Sequence, residues 1–409
     1  MPFPSGLRAL NHRDFRLFFT GQMISLVGTW MQSVGQSWLV LELTNSPLKL
    51  GLLGTLQFGP MLCFSFLAGA IADRLPKRRV VIATQTALMC QAFILSALAW
   101  TGHVQYWHVA VLATLYGLAT TLDLPTRQSF IVEMVGKADL MNAIALNSAM
   151  FNGARIIGPA VAGLLVARYG VGPAFFLNGV SFVAVIVALF SVRAEGLPTA
   201  SKGASMVQDI LAGVRYAVET PLVSLILSLL FFVSLFVINY NVFVPLLARD
   251  VLHEGAQGFG FLMAALGAGA VGGALALAVL GSGQPRLVVL VGAAILVSSA
   301  TFFLSLIRHF WPAAIGLALI GFSQIVFLAS CNSTLQVTVP DRLRGRMMSL
   351  YAFVFAGVTP IGSFLVGWIA EVLGVAVAFA AGGGLGLVSV LALAVWWRRG
   401  HARRSEDLP

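Results

Sequence analysis

The sequence predicts an all-α integral membrane protein whose twelve transmembrane helices form two pseudo-symmetric six-helix bundles. Three observations predict it. Of 409 residues, 58% are hydrophobic and only 10% charged, whereas roughly a quarter of an ordinary soluble domain is charged. Apolar stretches recur along the whole chain at about the 20 residues that a helix needs to cross the hydrocarbon core. Lys and Arg collect between alternate stretches, which is the positive-inside pattern. That placement also accounts for the net charge of +10 as an orientation signal, so nucleic acid is not an expected partner.

Taken in order, the spans run near 15–42, 48–72, 79–101, 106–126, 140–168, 172–193, 221–247, 256–281, 286–307, 311–338, 346–371 and 374–397. The Arg8–Arg16 segment precedes an apolar stretch too long for a signal-peptide core and lacks a small-residue cleavage site, so the first helix is expected to stay. An even count with the N-terminus inside puts both ends in the cytoplasm. The charges agree: Arg74–Arg79, Arg342–Arg346 and Arg398–Arg404 fall on the cytoplasmic side, while the outer segments hold only Lys49, Arg168, Arg249 and Arg308. One miscounted span would invert every later loop.

Domain boundaries follow from drops in apolarity. Residues 1–193 form the N-terminal six-helix bundle, 194–220 a cytoplasmic linker, 221–397 the C-terminal bundle and 398–409 a cytoplasmic tail. In the linker, Glu195–Gly203 reads as a flexible link. Met206, Ile210, Val214, Ala217 and Val218 then recur at helical spacing, as in an amphipathic surface helix. The halves repeat faintly: Gly163, Gly170, Ala174 and Phe175 match Gly367, Gly374, Ala378 and Phe379 at a constant offset of 204. Cys63, Cys90 and Cys331 lie in apolar segments and read as small buried hydrophobes.

Between spans two and three, Gly69-Ala-Ile-Ala-Asp73-Arg74-Leu-Pro-Lys77-Arg78-Arg79 makes a short charged turn. With Gly69, Asp73, Arg74, Arg78 and Arg79 it resembles the cytoplasmic loop between helices two and three of the major facilitator superfamily, with Pro76 where that family often has Gly. The mirrored turn of the second half, Gly281–Arg286, has lost its acid. Span four carries Tyr116, Thr120, Asp123 and Arg127 on one face. Asp123-Leu-Pro-Thr-Arg127-Gln-Ser-Phe-Ile-Val-Glu133, followed by Leu140-Met-Asn142-Ala-Ile-Ala-Leu-Asn147-Ser, resembles the branch with enterobactin-exporter-like and multidrug efflux proteins, the transmembrane secretion effectors. The resemblance implies a cytoplasmic gate at Gly69, Asp73, Arg74, Arg78, Asp123 and Arg127. Arg127 is placed to pair with Asp73 or Asp123, in either a permanent or a switching ion pair.

Other spans supply candidate cavity residues. In span one, Gly21, Gly28 and Gly35 form a small-residue ridge. Beside it Gln22, Ser25, Thr29, Gln32 and Gln36 share a third of the circumference, and polar side chains there must face protein or water. Cavity lining is the favoured reading, interhelical hydrogen bonding the alternative. Span five has Ser148, Asn152, Arg155 and Pro159 on one face. A cation at a span's centre costs about 2.5–3.5 kcal/mol on insertion scales, so Arg155 should face a cavity or a partner. Gly158, Pro159 and Gly163 resemble the superfamily's antiporter motif, though its final Gly is missing, and such a motif lets helices approach closely. Spans seven and ten add Asn239, Tyr240, Asn241, Gln324, Asn332 and Gln336 as a possible opposite wall, with interhelical bridging the alternative for the asparagines.

The sequence has no phosphate-binding Gly-x-x-x-x-Gly-Lys-Ser loop, no histidine pair at ligand spacing and no repeated filter loop. That argues against an ATPase, a membrane metalloenzyme and a channel, and no cofactor or metal is expected. The resemblance implies alternating access with a site between the halves at the midplane, and proton-coupled export of a small amphipathic organic molecule, drug or siderophore-like. Asp123 is the best proton carrier available. An importer or lipid-moving facilitator of the same fold is the rival. The implied partners are a small-molecule substrate, protons and membrane lipid, with the chain acting as a monomer.

Overall fold

A computed structural model describes residues 4–197, 206–280 and 287–406. The link 198–205 and the Gly281–Arg286 turn fall outside the described residues, as do the side chains of Asp73 and of the linker helix before Gly213. The chain forms two compact units, Met1–Lys202 with Glu254–Ala264, and Gly203–His253 with Ala265–Pro409. Among the described residues the regular structure is helical.

In the first unit a short 3-10 turn, Ser5–Asn11, leads into α1 (Arg13–Thr44), α2 (Pro47–Arg74), α3 (Lys77–Trp100), α4 (Tyr106–Tyr169) and α5 (Gly172–Ser191). α1 packs on α4 and α5, α2 on α4, and α3 on both α4 and α5. Local chemistry sets the ends. Asn45 turns left-handed at φ 50° to stop α1, and the Ser46 hydroxyl accepts the Lys49 amide at 3.2 Å to start α2 behind Pro47.

The sequence leaves 127–139 as a loop, yet α4 runs on through it. Phe130, Ile131, Met134 and Val135 are buried against Phe15, Phe18, Val81 and Leu189, so the helix continues as an amphipathic one beyond the expected membrane edge. It breaks only at Gly136, where φ is 69°. At about 1.5 Å per residue, the 64 residues of α4 reach far beyond one bilayer core, so the two limbs stand for two spans.

The second unit contains α6 (Met206–Glu219), α7 (Pro221–Phe236), α8 (Tyr240–Leu246), most of α9 (Ala256–Leu280), α10 (Leu287–Leu304), α11 (Phe310–Thr338), α12 (Asp341–Gly357), α13 (Thr359–Leu373) and α14 (Val375–Glu406). α10 packs on α11 and α14, and α7 on α14, α12 and α13. α9 meets α11 closely: a methyl group on Gly273 would lie 2.5 Å from the Phe322 carbonyl oxygen, and one on Gly321 1.9 Å from that of Leu266. Two expected spans are interrupted here, 221–247 at Val237–Asn239 and 346–371 at Val358.

Among the described residues, nine helical stretches are long and apolar enough to cross a membrane. α1 and α2, of 32 and 28 residues, are long enough too. The internal repeat reappears in the backbone. Gly170 ends α4 at φ 76° with its amide on the Val166 carbonyl, and Gly374 ends α13 at φ 91° with its amide on that of Ala370. The sequence reading of the cysteines holds for Cys331, which is buried; Cys63 and Cys90 are exposed on the surface of their helices, where hydrocarbon suits an apolar thiol.

Candidate gating and substrate-binding residues

The charged turn between α2 and α3 is tied down by its basic side. Arg78 donates from Nε to the Leu189 carbonyl and from Nη2 to the Phe190 carbonyl, both at 2.8 Å. A cation thus covers the last carbonyls of α5, where the helix dipole favours it. Lys77 is buried, pairs with Glu133 of α4, and donates to the Leu197 carbonyl at 2.8 Å. Its amide also bonds to the Gly196 carbonyl at 2.7 Å. Arg74 is exposed, and among the described residues Gly69 has no neighbour within 4 Å of where a Cβ would stand.

Asp123 sits one helix away and is buried. Its Oδ1 accepts from Thr84 Oγ1 at 2.8 Å and from Gln85 Nε2 at 2.9 Å, while Arg127 Nε stands 3.5 Å from Oδ2. Of the two partners considered for Arg127, the described one is therefore Asp123. Two donors and a cation thus satisfy the hydrogen-bonding needs of this buried carboxyl group. Tyr116, a little under two turns before Asp123 on α4, packs against Leu88, Ala92 and Phe182.

Span one divides by stripe. Its glycine ridge meets α5: a methyl group on Gly21 would lie 3.0 Å from the Ala184 carbonyl oxygen, one on Gly28 2.5 Å from Ser181 Oγ, and one on Gly35 3.1 Å from the Phe175 ring. Gln32 is buried between helices. It donates to Gln91 Oε1 at 2.8 Å and accepts from Asn178 Nδ2 at 2.7 Å, bridging α1, α3 and α5 in the buried interior. The interhelical alternative describes this residue. Gln22 and Gln36 are buried as well, and neither Gln22 Oε1 nor Gln36 Nε2 has a hydrogen-bond partner among the described residues.

The second limb of α4 carries a partly exposed polar face. Ser148 and Phe151 are exposed, Asn152 and Arg155 half-buried. Asn152 donates to the Ser148 carbonyl at 2.8 Å. Immediately beyond, Gly158 and Gly163 make two close crossings. A methyl group on Gly158 would stand 2.5 Å from Trp30 Cβ of α1, and one on Gly163 3.0 Å from the Ala256 carbonyl oxygen of α9. Gly260 faces the same crossing, 2.5 Å from the Pro159 carbonyl by the same measure.

In the second unit Asn239 serves the interrupted helix. It donates to the Leu235 carbonyl at 2.9 Å and accepts from Ser363 Oγ at 3.4 Å, and Gly362 of α13 leaves the room for it. Gln324 is buried, Asn241 and Asn332 are half-buried, and Gln336 donates to Asn332 Oδ1 at 2.5 Å.

Sequence reasoning missed several partners. Glu133 was seen only as part of a motif, and Thr84, Gln85, Gln91 and Asn178 were not singled out. A signal was there: Thr84, Gln85 and Gln91 interrupt an otherwise apolar span, and Thr84, Leu88, Gln91 and Leu95 recur at one-turn spacing. Also missed was a clasp on the N-terminal turn. Asp139 receives Arg8 at 2.8 Å and His12 at 2.9 Å, Asn142 Oδ1 receives the Ala9 amide at 2.8 Å, and Asp14 Oδ2 receives the amides of Arg193 and Ala194 at 3.0 and 2.9 Å.

The model of the transmembrane secretion effector family matches residues 4–406. The chain belongs to that family. It is thus a transporter of the major facilitator type, a multi-pass membrane protein that moves a small molecule, and not an enzyme. Curated relatives include the staphyloferrin A transporter of Staphylococcus aureus (strain NCTC 8325 / PS 47), 25% identical over 88% of this chain and 90% of that one. The multidrug efflux pump Tap of Mycolicibacterium fortuitum is 26% identical over 87% and 88%. The enterobactin exporter EntS of Escherichia coli (strain K12) is 27% identical over 96% and 94%. Among solved structures, the nucleoside transporter NupG superposes with a TM-score of 0.75 at 11% identity, over 94% of this chain and 99% of that one, which speaks for the fold.

Proposed function

We propose that this family member exports a small amphipathic organic molecule, drug or siderophore-like, by alternating access and in exchange for protons. It does so as a monomer of twelve spans with both termini in the cytoplasm, its bundles at 1–193 and 221–397 joined by the 194–220 linker. The observation that carries the reading is the polar face of α4, exposed at Ser148 and only half-buried at Asn152 and Arg155 within an apolar span. Polar groups in that position are tolerated where they look onto water or a ligand rather than lipid. The relatives named for enterobactin export and multidrug efflux support the direction and the substrate class. Tyr116, Asn152, Arg155, Asn241, Gln324 and Asn332 are assigned to substrate contact. Arg74, Arg78, Asp123 and Arg127, with Gly69 and Asp73, are assigned to closing the cytoplasmic side.

Asp123 is assigned the proton: it is a buried carboxylate, hydrogen-bonded by Thr84 and Gln85 and beside Arg127. In inside-out vesicles an acid-inside gradient is expected to drive accumulation of a permeant dye such as ethidium. Asp123→Asn should abolish the gradient response while leaving dye exchange without a gradient. Wild-type vesicles that never respond to the gradient would rule out antiport. Dye driven the other way would point to an importer, and channel-like currents would rule out a carrier.

A further inference from the structure

The end of α5 gathers arginines from three parts of the chain. Arg13 of α1 donates from Nη1 to the Ser191 carbonyl at 3.1 Å, beside the Leu189 and Phe190 carbonyls that Arg78 of α3 holds. Arg193 follows directly, exposed, with its amide on Asp14 Oδ2 at 3.0 Å. Arg13 keeps 49% of its side chain exposed and stands 3.5 Å from Asp14 Oδ1. With the exposed Glu195 counted beside Asp14, two carboxylates meet three guanidinium groups, so this end stays cationic. From it an apolar stripe runs back along α5 through Phe190, Val187, Val183, Val180 and Phe176, exposed at every step and most of all at Phe190, at 64%. We propose that Arg13, Arg78 and Arg193 bind the headgroup phosphate of an anionic phospholipid whose acyl chain lies along this stripe.

Apolar exposure on a span is by itself ordinary lipid-facing surface. This stripe is set apart by where it ends. The 20 residues of α5 match the ~30 Å hydrocarbon core, so its last carbonyls lie at headgroup level. Arginine forks fit phosphate oxygens two at a time. Arg13 and Arg193, the exposed pair, supply those donors, while Arg78, whose Nε and Nη2 serve carbonyls, adds charge. Because Arg13 and Arg78 are already docked on the helix end, a lipid has less side-chain ordering to impose. Basic groups gathered between helices at the membrane surface favour anionic headgroups. A zwitterionic headgroup brings a cation of its own to the same place and loses that advantage. An orientation signal needs positive charge only somewhere in a loop; here it is drawn onto one helix end beside lipid-facing surface. A phosphate bound there would tie the starts of α1 and α3 to the end of α5, whatever the cargo and whichever way it moves.

The test is native mass spectrometry of the purified full chain in detergent, titrated with dioleoylphosphatidylglycerol or dioleoylphosphatidylcholine. Wild type should bind the first phosphatidylglycerol about 25-fold tighter than the first phosphatidylcholine, about fivefold for each of the two exposed arginines. Arg13→Gln and Arg193→Gln should each remove about fivefold of that margin. Together they should bring phosphatidylglycerol down to the level of phosphatidylcholine, whose own binding stays unchanged. Arg13→Lys with Arg193→Lys keeps the charge and should keep most of the margin. Arg399→Gln, the same charge change at an exposed site on α14, should leave it intact, and excess inorganic phosphate should not displace the lipid. Equal affinity of wild type for the two lipids, or a margin that survives the glutamine pair, would overturn the proposal. So would a lysine pair that behaves like the glutamine pair, an equal loss in Arg399→Gln, or displacement by inorganic phosphate. Nothing in this readout depends on transport, so its failure leaves the export reading where it stands.

Discussion

The two units handle buried polarity in different ways. In the first, the helices run unbroken through the expected membrane depth, and amide side chains are spent between them: Gln32 joins Gln91 and Asn178 across three helices. In the second, the helices themselves are interrupted, at Val237–Asn239 and at Val358, and Asn239 returns hydrogen bonds to the backbone that the break exposes. Each device answers the same constraint, that polar groups at membrane depth need partners within the protein. The first builds a rigid block cross-linked by side chains. The second leaves places where a helix can bend at low cost. If one unit deforms during transport, it is the second.

That comparison can be broken first at the glycines. Gly28→Leu in the first unit and Gly362→Leu in the second both drive a side chain into neighbours, 2.5 Å from Ser181 Oγ and from the Leu235 carbonyl oxygen respectively at Cβ alone. Gly28→Leu is expected to cost about 3 kcal/mol or more, since continuous helices cannot yield. Gly362→Leu, beside a break, should cost less. Thermal unfolding in detergent reads the order, and the reverse order would refute the contrast in stiffness.

Next come the asparagines. Asn178→Leu strands Gln32 Oε1 in the interior, at about 1–3 kcal/mol, the penalty of an unsatisfied buried acceptor. Asn239→Leu releases a carbonyl that the α7 end can turn toward another donor, at about 1 kcal/mol. Adding Gln32→Leu and Gln91→Leu to Asn178→Leu should recover part of the first loss, because no acceptor of the bridge then remains stranded. Failure to recover would mean that the bridge does more than satisfy itself.

The smallest effect concerns the N-terminal clasp of the first unit. The His12 hydrogen bond, with Arg8 beside it, holds the Asp139 carboxyl below its ordinary range. A depressed carboxylate stabilises the folded clasp above the ordinary value of about 3.9, and that stabilisation is lost only as pH falls through the lowered one. Exchange protection of the Ala9 amide is therefore expected to stay constant from pH 8 down to about 5, and to drop in Asp139→Asn. A loss of protection already at about pH 6 would assign the clasp to something other than this carboxylate.

The sequence made the helices and their packing ridges legible because both are local. Gly21, Gly28 and Gly35 recur every seven residues, and the offset of 204 located the paired helix ends at Gly170 and Gly374. Partners were legible only where helical spacing links them, as in Asp123 and Arg127. Gln32 illustrates the limit. Periodicity fixes which face of a helix a side chain takes, but not whether that face meets water or another helix, and its two partners lie 59 and 146 residues away. Lys77 is the same case: read as an orientation charge, it is buried against Glu133, 56 residues on. The extension of α4 was misread because Arg127, Glu133 and Lys137 look like a loop until Phe130 and Met134 are seen to be buried on its other side.

The N-terminal turn has a practical consequence. Residues that usually count as a disposable leader are stitched here to Asp139 and Asn142 and lie over a packed floor that includes Ala9. An affinity handle or fluorescent fusion placed ahead of Pro4 would pull on those stitches. Such handles belong at the other terminus.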